Sequence, residues 1–338
     1  MKSLAVLGAG AIGCSVGADL TKTGHDVLLI DQWPAHIEAM KAHGLRIALP
    51  NEEFLVPVKA AHLCELNSLR KQFDIVFLAS KSYDTCWLVE FIKPYLKPGG
   101  VLVSLQNSFN DEWIAPIIGY GRDIGCAVTL AAESNEPGRV KRITDQAHTS
   151  FTLGELHGRI TPRLQEVAQI LSVAGKAETT TNIWGTKWSK LVFNSMTPWD
   201  VLTGVSLRDV IDSPDMLKIS VRLGRETVQV GVTLGYRLEP IFGLTAEDFL
   251  HSVDNVLEQI VKQFVAVSGG KGRSHAIQDI SKGRRTELEY LNGLVVKKGR
   301  EAHVSTPLNE AVTSLVKQIE QGKLTPNLSN LKILDQHT

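Results

Sequence analysis

A glycine-rich turn near the amino terminus joins a predicted strand to a predicted helix. The aliphatic run 4–7 ends at the turn, and a helical pattern follows over 11–23, closed by Gly24. In a GxGxxG turn the first glycine permits the bend, the second lets a pyrophosphate approach the backbone, and the third lets the helix pack on the strand. The free N–H groups at the start of the helix favour phosphate. This context predicts dinucleotide binding rather than a purely structural glycine turn. The binding residues are predicted to be Gly8, Ala9, Gly10, Ala11, Ile12 and Gly13.

Short apolar runs alternate with helical patterns through the first half of the chain. The predicted strands are residues 27–30, 75–79 and 101–105, with further strand-like runs near 124–131 and 150–154, and 162–174 is a predicted helix. Alternating strands and helices predict an α/β fold, a Rossmann-type doubly wound parallel sheet with helices on both faces.

The pattern changes near residues 176–184, and only helical spacing follows. The predicted helices are 188–196, 216–234, 245–267, 287–299 and 307–319. We therefore expect a dinucleotide-binding domain over 1–178 and an all-α domain for substrate and catalysis over 182–338.

The charge balance excludes some partners. Lys and Arg total 36, as do Asp and Glu, so no long-range field favours nucleic acid or a membrane surface. No apolar run is long enough to span a bilayer, and the amino terminus has no signal-peptide pattern. The four cysteines have no paired spacing, which predicts reduced thiols and no metal site. We expect a cytoplasmic protein, and the long helices of the second half could support a homodimer.

Asp31 ends the second predicted strand, where a carboxylate can accept hydrogen bonds from the adenosine ribose hydroxyls. It would repel a 2′-phosphate, and the residues that follow, Gln32, Trp33 and Pro34, include no Arg or Lys. Asp31 therefore favours NAD(H), with NADP(H) left open. The alternative is that Asp31 only caps the next helix, because Asp is a favoured capping residue.

A second candidate site lies on the helix predicted over 188–196. Lys190 and Asn194 are one turn apart and share a face, although Leu191 between them is apolar. An ammonium group can protonate a developing alkoxide, and an amide can hold a hydroxyl or a carboxylate. Lys187, one turn earlier, is an alternative, but the spacing to Asn194 favours Lys190.

Several motifs in order resemble the ketopantoate reductase (2-dehydropantoate 2-reductase) family. Besides the GAGAIG turn and the Lys190–Asn194 pair, they are the run QDISKGRRTELEYLNG at 278–293 and STPLN at 305–309. Lys81 and the pair Gln106-Asn107 fall after two predicted strands, where that family has its K and QNG motifs. The resemblance covers essentially the whole chain.

The resemblance implies reduction of a 2-oxo acid to a 2-hydroxy acid by hydride transfer from NAD(P)H, with ketopantoate, a precursor in pantothenate biosynthesis, as the expected substrate. By position, Lys190 matches the general acid. Glu287 matches a glutamate that engages the substrate hydroxyl or orients the lysine; without the resemblance it could be a surface charge. Lys81 and Asn107 match residues at the nicotinamide and substrate end, and Asn194 matches a substrate-binding asparagine.

Three positions depart from the family pattern. Ser108 replaces the glycine of QNG, Pro198 stands where a second asparagine is often found, and His275, beside Ser274, replaces a substrate serine. We expect Pro198, Ser274 and His275 to line the substrate pocket. Loss of an amide weakens recognition of a hydroxylated substrate. The alternatives are therefore another branched or aromatic 2-oxo acid, or a dinucleotide-sensing module without turnover.

Overall fold

The computed structural model describes residues 2–49, 52–240, 253–268, 270 and 274–335. The chain divides into two compact units, Met1–Ile183 and Trp184–Thr338. No helix in the described ranges is both long enough and apolar enough to cross a bilayer.

The first unit alternates strands and helices. In chain order they are β1 (Ser3–Leu7), α1 (Ala11–Lys22), β2 (Asp26–Asp31), α2 (Pro34–His43), β3 (Leu45–Ala48), β4 (Glu53–Val56), β5 (Lys59–His62), α3 (Leu66–Leu69), β6 (Phe73–Leu78), α4 (Thr85–Ile92), β7 (Leu96–Ser104), α5 (Asp111–Ile118), β8 (Asp123–Thr129), β9 (Ala132–Glu136), β10 (Arg139–Arg142), β11 (Ser150–Glu155), α6 (Pro162–Leu171) and β12 (Lys176–Thr179).

Eight of these strands form one sheet in the order β12-β11-β8-β7-β6-β1-β2-β5. Every neighbouring pair is parallel except β11 and β8, which are antiparallel. Strand β1 alternates its side chains between two cores. Leu4 and Val6 pack with residues of α1 and α6, whereas Ala5 and Leu7 pack with residues of α4 and α5. Helices therefore cover both faces of the sheet, and the predicted α/β fold is confirmed.

A second, four-stranded sheet has the order β4-β3-β10-β9 and was not predicted. Its central pair, β3 and β10, is parallel, and the outer pairs are antiparallel. Ile47 of β3 and Val140 of β10 belong to the same buried core as the apolar side of α1. The small sheet thus covers the helix that follows the glycine-rich turn.

The second unit is helical in its described residues. The helices are α7 (Ile183–Ser195), α8 (Trp199–Thr203), α9 (Leu207–Ile211), α10 (Pro214–Thr233), α11 (Val253–Ser268), α12 (His275–Ser281), α13 (Asn292–Glu301), α14 (Pro307–Glu320) and α15 (Leu331–Asp335).

Two of the predicted helices either differ from the structure or extend beyond its described residues. The prediction of one helix over 287–299 was wrong at its start, because a short 3₁₀ turn covers Leu288–Tyr290 and α13 begins only at Asn292. Leu291 separates them with φ −112° and ψ −92°, outside the helical region. Residues 245–252 of the helix predicted over 245–267 lie outside the described residues.

Candidate active site

The three glycines of the turn after β1 have three different surroundings. A Cβ on Gly8, whose φ is +95°, would lie 2.5 Å from the backbone nitrogen of Ser80. A Cβ on Gly13 would lie 2.1 Å from the carbonyl oxygen of Gly8. A Cβ on Gly10 would meet nothing within 4 Å. Gly8 and Gly13 are thus required by the protein's own backbone, whereas the open space at Gly10 fits the close approach of a pyrophosphate.

The predicted cofactor residues lie at one edge of the large sheet. Strand β1 lies between β2 and β6 in the sheet. The next strand along the chain, β2, is on one side of β1, and β6 and the strands that follow it are on the other side. The glycine-rich turn after β1 lies at this switch point. Asp31 is the last residue of β2, Lys81 follows β6, and Asn107 follows β7. Because these strands are parallel, their carboxyl ends meet at the same edge. The structure therefore brings together Asp31, Lys81, Asn107 and the turn.

Asp31 has one carboxylate oxygen in use. Its Oδ1 accepts a hydrogen bond from the backbone N–H of Trp33 at 2.9 Å. Trp33 is the residue that precedes α2, and that helix has no side-chain cap. Asp31 thus stabilises the turn before α2, and no hydrogen bond between described residues uses its Oδ2, which remains available to a ribose hydroxyl.

Gln106 links the two loops that carry Lys81 and Asn107. Its buried side-chain Nε2 donates to the carbonyl oxygen of Ser80 at 3.0 Å and to Oγ1 of Thr85 at 2.9 Å. The glutamine of the QN pair is therefore a scaffold residue that fixes the loop after β6 against the loop after β7.

Asn110 reinforces this link, and sequence reasoning missed it. Its side-chain Nδ2 donates to the carbonyl oxygen of Asn107 at 2.6 Å and to Oγ of Ser82 at 3.1 Å. Ser108, which lies between Asn107 and Asn110, has φ +73°, in the left-handed region. This left-handed conformation explains the glycine in the family's QNG motif. Ser108 adopts the same conformation at a cost in backbone strain.

In the second unit, α7 packs on α10 through one side. The indole Nε1 of Trp188 donates to the carbonyl oxygen of Thr227 at 2.9 Å, and the indole stacks on Tyr236. Because a helix makes a turn every 3.6 residues, Lys190 and Asn194 lie on the other side of α7 from Trp188. The predicted shared face is therefore present, and both side chains are half-buried.

The amide of Asn194 has an unsatisfied donor. Its Nδ2 is buried and has no hydrogen-bond partner among the described residues. A buried amide left in this state costs free energy comparable to a lost hydrogen bond, so such a group usually has a ligand or water as its partner.

Glu287 is only 4% exposed, so it is not a solvated surface charge. The preceding residue, Thr286, donates from its backbone N–H and its hydroxyl to one oxygen of Glu320. Shortly after Glu287, the side-chain Nδ2 of Asn292 donates to the carbonyl oxygen of Ser195, the last residue of α7, at 3.0 Å. The segment that carries Glu287 is thus attached to the end of the helix that carries Lys190.

Asp200 connects the region after Pro198 to Ser274. The carboxylate of Asp200 accepts from the hydroxyl and from the backbone N–H of Ser274, both at 2.6 Å. Burial raises the pKa of Asp200, and these hydrogen bonds partly offset that rise. Ser274 also caps α12 by accepting from Ile277 N–H at 3.3 Å, so its hydroxyl has a structural role. The side chain of His275 lies outside the described part of the chain.

Comparison with known proteins gives matches over nearly the whole chain. The family described as "Ketopantoate reductase PanE/ApbA" matches residues 4–158, and its C-terminal counterpart matches residues 182–320. A 2-dehydropantoate 2-reductase of Archaeoglobus fulgidus is 30% identical over 322 residues, covering 94% of this chain and 97% of that relative. The chain belongs to the ketopantoate reductase family.

Solved structures have the same fold. A PanE/ApbA family ketopantoate reductase from Ralstonia eutropha JMP134 has a TM-score of 0.80 at 25% identity, covering 95% of this chain and 99% of that one. D-Mandelate dehydrogenase, determined with NADH and anilino(oxo)acetate, has a TM-score of 0.83 at 23% identity with the same coverage.

Membership of the ketopantoate reductase family confirms the prediction of an NAD(P)-dependent oxidoreductase that acts on a CH–OH group. It also confirms a nicotinamide dinucleotide as the cofactor and a 2-oxo acid as the class of substrate. The preference between NAD(H) and NADP(H), the identity of the acid and the roles of single residues stay predictions.

Proposed function

We propose that this ketopantoate reductase family member reduces 2-dehydropantoate to pantoate, with Lys190 as the general acid. The observation that carries the proposal is the face of α7 that presents Lys190 one turn from Asn194, whose amide is buried and lacks a partner among the described residues. Residues 1–178 would bind the dinucleotide, and residues 182–338 would supply the groups that act on the substrate.

The proposed reaction needs a proton donor at the carbonyl oxygen of the substrate. When bound, the nicotinamide supplies a hydride to the carbonyl carbon. The ammonium group of Lys190 then stabilises the negative charge that develops on the carbonyl oxygen and protonates it. Asn194 Nδ2 donates to an oxygen of the substrate, and Glu287 engages the substrate hydroxyl or orients Lys190.

The glycine-rich turn and Asp31 would hold the dinucleotide, with Lys81 and Asn107 at the nicotinamide end. We propose NADH as the preferred form, because Oδ2 of Asp31 is available to a ribose hydroxyl and its charge would repel a 2′-phosphate. Steady-state kinetics with NADH and NADPH test this. A kcat/KM for NADPH that exceeds the value for NADH by tenfold would contradict it.

The test of the general acid is Lys190→Ala, measured beside Lys190→Arg. We expect kcat to fall by roughly a hundredfold or more in the alanine variant, the usual effect of losing one acid catalyst. The Kd for NADH, measured by fluorescence without substrate, should stay within about threefold of wild type, within roughly 0.7 kcal/mol. Unchanged kcat in Lys190→Ala would show that the proton comes from another group.

A second candidate substrate is another branched or aromatic 2-oxo acid. Pro198, which is buried and directly precedes α8, favours it, because proline supplies no side-chain amide to hold the pantoate hydroxyl. The named neighbour D-mandelate dehydrogenase acts on an aromatic hydroxy acid and is consistent with this alternative. Assays of NADH oxidation with 2-dehydropantoate and a panel of such acids separate the two. No turnover with any acid would favour the dinucleotide-sensing alternative.

A further inference from the structure

A buried histidine contacts the backbone of the glycine-rich turn at the carbonyl oxygen of Ala9. His36 lies in the first half of α2 and is 1% exposed. Its Nδ1 lies 2.9 Å from the backbone nitrogen of Gly138, in the turn between β9 and β10, and its Nε2 lies 2.9 Å from the carbonyl oxygen of Ala9. One ring thus joins the cofactor turn to the small sheet.

The two backbone partners of the ring determine where it carries its proton. Sγ of Cys14, 3.3 Å from Nε2, is compatible with either form because a thiol can accept as well as donate. A backbone N–H can only donate, so Nδ1 of His36 must accept from Gly138. The proton is therefore on Nε2, which donates to the carbonyl oxygen of Ala9. Burial lowers the pKa of His36, which favours this neutral form. The indole of Trp33 stacks on the ring with centroids 5.1 Å apart and restricts its rotation.

The carbonyl group of Ala9 is held by two donors. The thiol of the buried Cys14 donates to the same oxygen at 3.0 Å. On its other side, the N–H of Ala9 points to the carbonyl oxygen of Ile30 at 3.3 Å. Both peptide groups that flank the Cα of Ala9 are therefore fixed by neighbours inside the first unit.

Fixing this carbonyl also directs the next N–H. In a planar trans peptide the N–H points opposite to the C=O. Since the carbonyl of Ala9 points inward to His36 and Cys14, the N–H of Gly10 points away from them. Gly10 is the glycine with open space at its Cα, and its N–H makes no hydrogen bond to another described residue.

We propose that His36 is a positioning residue for the cofactor: its Nε2–H holds the Ala9–Gly10 peptide so that the Gly10 N–H faces the dinucleotide pyrophosphate. The proposal rests on the dinucleotide cofactor of the family and is independent of the substrate and of Lys190. The role of His36 is tested by NADH binding in the absence of substrate. This measurement can therefore be interpreted even if the proposed reaction is wrong.

Two variants separate the donor from the acceptor. In His36→Gln the amide Nε2 can replace the ring's donor to Ala9, whereas in His36→Asn the amide oxygen can replace the ring's acceptor for Gly138. We expect His36→Asn to raise the Kd for NADH about tenfold or more, and His36→Gln to stay within about threefold of wild type. At saturating NADH, kcat should change little in either variant. Thermal unfolding without cofactor gives the loss of stability of each, which we expect to be similar.

Amide NMR adds a direct readout on Gly10. Addition of NADH should shift its amide proton downfield in the wild type and in His36→Gln, and less in His36→Asn. The ring nitrogen shifts of the wild-type chain should show the Nε2–H form of His36, a measurement that needs no variant. Equal loss of NADH affinity in the two variants, wild-type affinity in His36→Asn, or an Nδ1–H ring would each overturn the proposal.

Discussion

Arg142→Met should destabilise the first unit because it removes the partner of a buried carboxylate. Arg142 of β10 and Asp19 of α1 are 1% and 3% exposed, and Nη1 of the arginine lies 2.5 Å from Oδ2 of the aspartate. The arginine also donates to Thr149 Oγ1 at 3.3 Å. Methionine keeps much of the apolar stem but leaves Asp19 without its cation.

The expected magnitude follows from the burial of both groups. Removal of one partner of a buried ion pair typically costs about 3–5 kcal/mol, because the remaining charge is unpaired. For a unit of this size that corresponds to a fall in Tm of roughly 6–20 °C. In the double variant Asp19→Leu with Arg142→Met no charge remains buried, so most of the loss should disappear.

The pH dependence gives a sharper test. Burial raises the pKa of Asp19 and the arginine acts against it, so the rise should be larger in Arg142→Met. A carboxyl whose folded pKa lies above its unfolded value binds a proton more readily in the folded state. The loss of stability that its buried charge causes is therefore greatest above the folded pKa and becomes smaller as the pH falls. Urea unfolding should therefore show a smaller loss at pH 5 than at pH 8. A loss independent of pH, or an equal loss in the double variant, would assign the effect to packing instead.

Two further predictions concern single positions in the first unit. Ser108→Gly should have a free energy of unfolding about 0.5–1 kcal/mol higher than Ser108→Ala, because both variants lose the hydroxyl and only glycine relieves the left-handed strain, less its entropy cost. Urea unfolding of the two variants measures this difference, and equal stabilities would refute the strain argument. Because burial lowers the folded pKa of His36 below its unfolded value, stability should fall as the pH drops below about 6.5. His36→Gln should lose this slope, although Asp31 and Cys14, the titratable groups that face the ring, are unchanged.

The cofactor turn could be predicted from sequence because its requirements are local. Gly8, Gly10 and Gly13 lie within one turn, and the aliphatic run before them and the helical pattern after them define their context. The small sheet could not be predicted in this way. Its central strands β3 and β10 are far apart in the chain, and short strands with alternating polar residues give a weak local signal.

In the candidate site, too, sequence patterns predict local features but not contacts between distant parts of the chain. The face shared by Lys190 and Asn194 follows from helical spacing alone. The break before α13 does not, because the apolar spacing continues through Leu291. Asn292, the first residue after that break, has its partners on other helices, since its side chain donates to Ser195 O and to Asn309 Oδ1. No local pattern encodes a partner on another helix.

Besides the shared apolar core, two polar contacts close to β10 connect the small sheet to the cofactor turn and to the helix that follows it. Gly138, in the turn before β10, acts through His36 on the peptide that precedes α1, and Arg142, at the end of β10, pairs with Asp19 within α1. The first contact reaches the turn that approaches the pyrophosphate, whereas the second lies more than two helical turns further along. The two contacts should therefore have separable effects. Arg142→Met should lower stability more than NADH affinity, because Arg142 makes no contact with the cofactor turn in the described part of the chain. His36→Asn should lower NADH affinity by more than its loss of stability accounts for, because His36, unlike Arg142, donates to the Ala9 carbonyl.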